Sequence, residues 1–273
     1  MKNTEHLLEL THLTKIFTLG SWFTKTRLTA VNDAHLAMTS EKASILTLAG
    51  ESGSGKTTLA RIMLGLIEPT SGSIRYKGRD VTRIHQHRDR LWFRKEVQPI
   101  FQNPFETFNP LRRIEKYLYE TALNYKIASS AREAEPIIET ALRSVGMSLD
   151  QVRKRYPNEL SGGQLQRASV ARALITQPSL LIADEPVSMV DASLRMSIVN
   201  LFKELCQNLN VSVVYVTHDL ATAYYIGDCI AIMLRGVIVE MGTVENVLMK
   251  PLHPYTQLLK KSVPETDPEQ QWK

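Results

Sequence analysis

Residues 43–66 read ASILTLAGESGSGKTTLARIMLGL, and their order of patterns decides the fold. The first seven are a nearly continuous apolar run, as expected of a strand buried on both faces of a parallel sheet. Gly50-Glu51-Ser52-Gly53-Ser54-Gly55-Lys56-Thr57 then matches GxxxxGK[ST]. Beyond it Leu59, Ile62, Met63 and Leu66 fall at i, i+3, i+4 and i+7, the period of an amphipathic helix. Pro69, Thr70 and Gly72 are expected to end that helix. A strand, a glycine-rich loop and a helix in this order make an anion cradle. Glycines let the backbone turn its N–H groups inward around phosphate oxygens, with no Cβ in the way. The helix points its positive dipole end at the same anion. Lys56 reaches the terminal phosphates as a point charge, and the hydroxyl of Thr57, with Thr58 beside it, can serve Mg²⁺. A chance match is expected in about one chain in a hundred of this length, and here the required strand and helix flank it.

Working outward, residues 7–39 alternate apolar and polar in LLELTHL and LTAVNDAHLAM, which predicts antiparallel strands around a loop at 20–26. Trp22 and Phe23 in that loop are more simply hairpin packing than an interaction site. A short hairpin near Gly72–Lys77 and a strand in EVQPIF follow. Residues 104–160 have no strand-like runs but several helical ones, such as IIETALRSVGM, and read as a helical lobe inserted into the sheet domain. A helix is predicted from about Gly163 to Ile175, ended by Pro178. Two buried strands, LLIAD (180–184) and VSVVYV (211–216), flank a helix with Leu194, Ile198, Leu201, Leu205 and Leu209 on one stripe. IAIML, an Arg-Gly turn and VIVEM complete the sheet. Strands alternating with helices imply an α/β layered fold.

LLIADE ends an apolar strand on two acids. A strand ending in two carboxylates is ordinarily just a solvated strand end. Downstream of a phosphate-binding loop, however, Asp184 is placed for the metal and Glu185 for the water that attacks the terminal phosphate. Leu160-Ser161-Gly162-Gly163-Gln164 comes next in importance. By itself, SGG before a helix is an N-terminal cap. Here the stretch LSGGQLQR resembles the signature of the ATP-binding cassette (ABC) family, in which the helix dipole faces a phosphate held by a partner subunit. The resemblance covers roughly residues 7–260. It implies an ABC-type P-loop NTPase fold: a RecA-like core, an antiparallel β subdomain and a helical subdomain at about 104–175. The cassette would span 1–264 and a polar tail 265–273. It also implies a head-to-tail dimer sandwiching two ATPs. Gln102 resembles the family's Q-loop glutamine, near Mg²⁺ and the membrane domains. Asp191 in SMVD takes the D-loop position, His218 resembles the switch histidine, and Phe17 the aromatic that stacks on adenine. SMVD replaces the common SALD, and Ser40-Glu41-Lys42 a common Gly-Glu turn. Neither departure removes a catalytic group, so hydrolysis is expected rather than a binding-only subunit.

FQNPFETFNP and PLHPYTQLL at Pro251–Leu259 resemble the oligopeptide/dipeptide importer branch, which also includes nickel and oligosaccharide importers. That branch implies a paralogous second ATPase or a homodimer, two membrane-spanning permeases and an external binding protein. The place implied is the cytoplasmic face of the bacterial inner membrane, held peripherally. His253 has no second ligand at metal spacing, so a structural role is expected. The 273 residues are 43% hydrophobic and 22% charged, ordinary globular values. No signal-peptide pattern and no apolar run of bilayer length is present. Cys206 and Cys229 form no metal or disulfide pattern, as expected of a reduced compartment. The formal charge of +5 is scattered, so nucleic acid is not an expected partner. A soluble cassette acting on nucleic acid would more commonly carry two cassettes or a long coiled coil, and neither is seen.

Overall fold

The computed structural model of the chain describes residues 6–20 and 25–261. Trp22, Phe23 and the polar tail lie outside the described residues. Strands β1 (His6–Leu19) and β2 (Thr26–Thr39) pair antiparallel. Then come β3 (Ile45–Ala49) and α1 (Lys56–Met63). The sequence pattern carries α1 to Leu66, but the helix stops at Met63; Gly65 adopts φ +65° and Leu66 is 51% exposed. A glycine in the left-handed region closes a helix at little steric expense, so the stop comes before Pro69.

β4 (Ser71–Tyr76) and β5 (Arg79–Asp80) form the short hairpin, and β4 also pairs with β1. α2 (His87–Glu96) follows, reading HRDRLWFRKE; only Phe93 in it is buried, so its sequence carries little apolar period. β6 (Val97–Ile100) precedes a run of helices: α3 (Pro104–Thr107), α4 (Ile114–Asn124), α5 (Ala131–Arg143), α6 (Leu149–Val152) and α7 (Gly162–Leu174). β7 (Leu180–Asp184), α8 (Ala192–Leu209), β8 (Ser212–Thr217), α9 (Leu220–Ile226) and β9 (Cys229–Leu234) return to the sheet. β10 (Val237–Thr243), α10 (Val244–Met249) and α11 (Pro254–Lys261) complete the described chain. The apolar stripe of α8 is shorter than its sequence period. Ile198, Leu201 and Leu205 are buried, whereas Leu194 and Leu209 at the ends are 37% and 46% exposed.

Two sheets result, with strand orders β2-β1-β4-β5 and β10-β9-β3-β8-β7-β6. In the larger sheet β9, β3, β8, β7 and β6 run parallel and β10 is antiparallel to β9. Alternation along its strands feeds cores on both faces, the two largest of them as follows. Leu181, Ala183, Val213 and Tyr215 face the helices α4, α5, α7 and α8. Leu180, Ile182, Val214 and Val216 face the opposite side, packed with Leu59, Ile62 and Met63 of α1 and with Leu8, Leu10 and Leu36 of the antiparallel sheet. Every residue of β3, β7 and β8 is buried, which is why they read as unbroken apolar runs.

Candidate functional site

The parallel strands deliver four chemical groups to one edge. The phosphate loop follows β3, His218 follows β8, Glu185 follows β7 and Gln102 follows β6, and these strands are consecutive neighbours. Ligands of open α/β sheets bind outside the carboxyl ends of the strands, and that is where all four lie.

Two glycines of the loop are sterically required. A Cβ on Gly50, at φ +149°, would lie 2.2 Å from the Met233 carbonyl oxygen, and one on Gly55, at φ +104°, 2.2 Å from that of Ala30. The loop therefore rests on backbone from β9 and β2. Gly236 N–H adds a 2.8 Å hydrogen bond to the Ser54 carbonyl. Lys56 is buried, its ammonium donating to the carbonyls of Gly50 (2.8 Å) and Glu51 (2.7 Å) and to Ser54 Oγ (3.4 Å). Burial pulls its pKa below the ordinary lysine value, opposed by the charges of Glu185, Asp184 and Glu51. Ser52 and Gly53 are exposed at the loop tip, and Thr58 is half-buried on α1.

Thr57 Oγ1 donates to Asp184 Oδ1 at 3.2 Å. Burial pushes the Asp184 carboxyl above its ordinary range, against the hydrogen bond from Thr57; the nearby Glu185 adds to the rise. A hydroxyl and a desolvated carboxylate beside a lysine and a phosphate cradle suit a hard divalent cation, whose preferred ligands are oxygens. Glu185 itself sits in the left-handed region, φ +45°, with its N–H on the Val216 carbonyl at 3.0 Å. A non-glycine residue held there costs roughly 1–3 kcal/mol and marks a position that the surroundings over-determine. Its Oε1 lies 3.2 Å from His218 Nδ1, and its Oε2 accepts from Gln102 Nε2 at 3.3 Å.

Other predicted residues stand apart. Ser161 caps α7: its Oγ accepts from Gln164 N–H at 3.2 Å, and Gln164 Oε1 accepts from Ser161 N–H at 3.0 Å. Gly162 and Gly163 pack near Met189 and Leu194, beside the exposed Asp191 that begins α8. Among the described residues no hydrogen bond or ion pair links 161–164 to the phosphate loop. Phe17 is half-buried on β1 opposite Leu28, with the Lys15 ammonium 5.1 Å from its ring centroid. His253 is structural in its contacts: its Nδ1 accepts from Tyr255 N–H and its N–H donates to Glu240. That arrangement orients Tyr255, whose hydroxyl accepts the Glu51 N–H at 3.1 Å. Sequence reasoning used the HPYT run as a branch marker and missed this contact with the loop. Its tyrosine was the available signal.

Comparison with known proteins shows the family. Residues 34–188 match the ABC transporter family and residues 239–273 the oligopeptide/dipeptide transporter C-terminal region. The chain belongs to the ABC transporter family and is an ATPase. Within that family its relatives include a probable peptide ABC transporter ATP-binding protein, y4tS, of Sinorhizobium fredii, 37% identical over 97% of this chain and 74% of that protein. The oligopeptide transport ATP-binding protein AppF of Bacillus subtilis is 36% identical over 97% of this chain and 80% of that protein. Among solved structures, a dimeric ATP-binding cassette in a post-hydrolysis state bound to ADP and Pi superposes with TM-score 0.75 at 26% identity, covering 87% of this chain and 98% of that one.

Proposed function

We propose that the protein energises oligopeptide or dipeptide import, with Glu185 as the base of ATP hydrolysis. The observation that carries the catalytic half is Glu185 at the edge that carries the phosphate loop, hydrogen-bonded by Gln102 Nε2 and with His218 Nδ1 3.2 Å from its other carboxylate oxygen. Backbone N–H groups of the loop and Lys56 hold the phosphates. Glu185 takes the proton of the attacking water, while His218 and Gln102 fix the two carboxylate oxygens. Thr57, Asp184 and Gln102 would hold Mg²⁺, which when bound neutralises charge on the transferring phosphoryl group. The exposed Ser161, Gln164 and Asp191 would meet a second cassette, paralogue or copy, closing over the ATP. The alternation of closed and open dimers is passed to two permeases fed by an external binding protein. No helix among the described residues is long and apolar enough to cross a membrane, which supports peripheral attachment through those permeases. The C-terminal match and the relatives support a peptide cargo over nickel or oligosaccharide.

The test is ATP turnover by the reconstituted complex with and without peptide-loaded binding protein. Stimulation by peptide is expected. Stimulation only by another cargo would overturn the peptide assignment, and no stimulation by any cargo the importer.

A further inference from the structure

A second cluster of ligating side chains lies on the antiparallel sheet, on strands β1 and β2. The β1–β2 ladder is irregular between Leu10 and Leu13 and again between Leu13 and Lys15. His12 and Asp33, on the two strands at this irregularity, both adopt φ +50°. Bulges re-aim side chains, and here they turn the two toward each other. Asp33 Oδ1 lies 2.8 Å from His12 Nδ1, and 3.4 Å from Nε2 of His35. His35 is two residues beyond Asp33 and therefore on the same strand face. The imidazole rings meet edge to face, with centroids 4.2 Å apart. Backbone contacts fix the bulge: Asp33 N–H donates to Thr14 Oγ1 at 3.0 Å, and Asn32 N–H to the Gly236 carbonyl at 2.8 Å.

We propose that His12, Asp33 and His35 form a binding site for a borderline transition-metal ion such as Zn²⁺. One potential ligand atom from each residue lies within 4.8 Å of the other two. Ligands about 2.0–2.2 Å from a tetrahedral ion sit roughly 3.3 Å from one another, and the separations of 2.8 and 3.4 Å bracket that spacing. Two imidazoles and one carboxylate select Zn²⁺, Co²⁺, Ni²⁺ or Cu²⁺ over Mg²⁺, which prefers oxygen ligands. The side chains of His12 and Asp33 are 70% and 62% exposed, leaving the remaining coordination positions to water and the ion exchangeable.

The test titrates the tag-free full chain with Zn²⁺ by calorimetry, in excess Mg²⁺ and without nucleotide. Co²⁺, read by its visible absorption, is the second probe. One saturable site per chain is expected, with the Co²⁺ spectrum of nitrogen and oxygen ligation. Loss of a partner behind a metal ligand typically weakens binding 10–100-fold, so His12→Asn and His35→Gln should each weaken this site at least about tenfold. Asparagine is chosen at position 12 because it tolerates the left-handed backbone. ATP turnover in Mg²⁺ should be unchanged in both variants, and His85→Gln/His87→Gln should bind as the native chain does. Absence of saturable binding by the native chain overturns the proposal, as does binding undiminished in His12→Asn and His35→Gln. The Co²⁺ spectrum of the native chain reads the ligands without any substitution.

Discussion

Replacing Glu185 by Gln isolates the proton-accepting role from the structural one. The amide is nearly isosteric, and the side chain is only 17% exposed, so packing is kept. Two nitrogens face the carboxylate, His218 Nδ1 at 3.2 Å and Gln102 Nε2, which donates to it, at 3.3 Å. The amide can turn its oxygen to Gln102 Nε2 and its NH₂ to His218 Nδ1, which accepts in the tautomer protonated on Nε2. The ground state thus changes by about one ordinary hydrogen bond, roughly 0.5–1.5 kcal/mol, equivalent to about 2- to 12-fold. Loss of a general base removes about 10²–10⁴ in rate, or roughly 2.7–5.4 kcal/mol of barrier. The second figure exceeds the first, so the two explanations separate. Phosphate release from the assembled complex should fall at least about a hundredfold, with ATP affinity within the small factor of one hydrogen bond. Turnover retained within about tenfold, with ATP still bound, would show that the base is another group and that Glu185 only braces His218 and Gln102.

Gly55→Ala should abolish ATP binding and lower stability by at least about 2 kcal/mol, because its Cβ meets the Ala30 carbonyl and the backbone is left-handed; a nucleotide-binding titration and a denaturant curve check it. Asp184 holds its proton to higher pH in the native chain than in the unfolded one, since burial raises its pKa. Its contribution to stability is therefore greatest below the unfolded carboxyl pKa and is lost as pH rises through the native value. The Tm of nucleotide-free Asp184→Asn relative to native should climb across that acid window; a flat difference refutes the assignment. Tyr255→Phe removes one acceptor from the Glu51 N–H and should weaken ATP binding about 2- to 10-fold. The readout is the ATP half-saturation value at unchanged maximal turnover, and an unchanged half-saturation value would make the contact incidental.

The local patterns were legible because they are dictated by neighbours in the chain. Gly50–Thr57 matches a loop, buried β3, β7 and β8 read as apolar runs, and Ser161–Gln164 reads as a cap. Helix α2 was not legible, since only Phe93 of its ten residues is buried; the placement of such a charged helix is decided by what it packs on. Likewise, the apolar period alone overran the end of α1, where Leu66 is exposed, and in α8 it counted as buried the end residues Leu194 and Leu209, which lie in the helix but remain exposed.

An anion cradle, two acids after a buried strand and a capped helix can be read from the residues alone, because those are properties of short segments. Only the tertiary structure decided that β3, β8, β7 and β6 would be neighbours in that order. Every fully apolar strand can pair with any other, and hydrophobicity does not encode which. The strand order brings Gln102 onto Glu185 across 83 residues of chain. It sets His218 on the same carboxylate and aligns three strand ends beside the phosphate loop. The same holds for Tyr255, which reaches Glu51 across 204 residues, and for the three side chains gathered at the β1–β2 bulge. Long-range pairing, with its loop-closure entropy already met by two packed cores, converts separate motifs into one site.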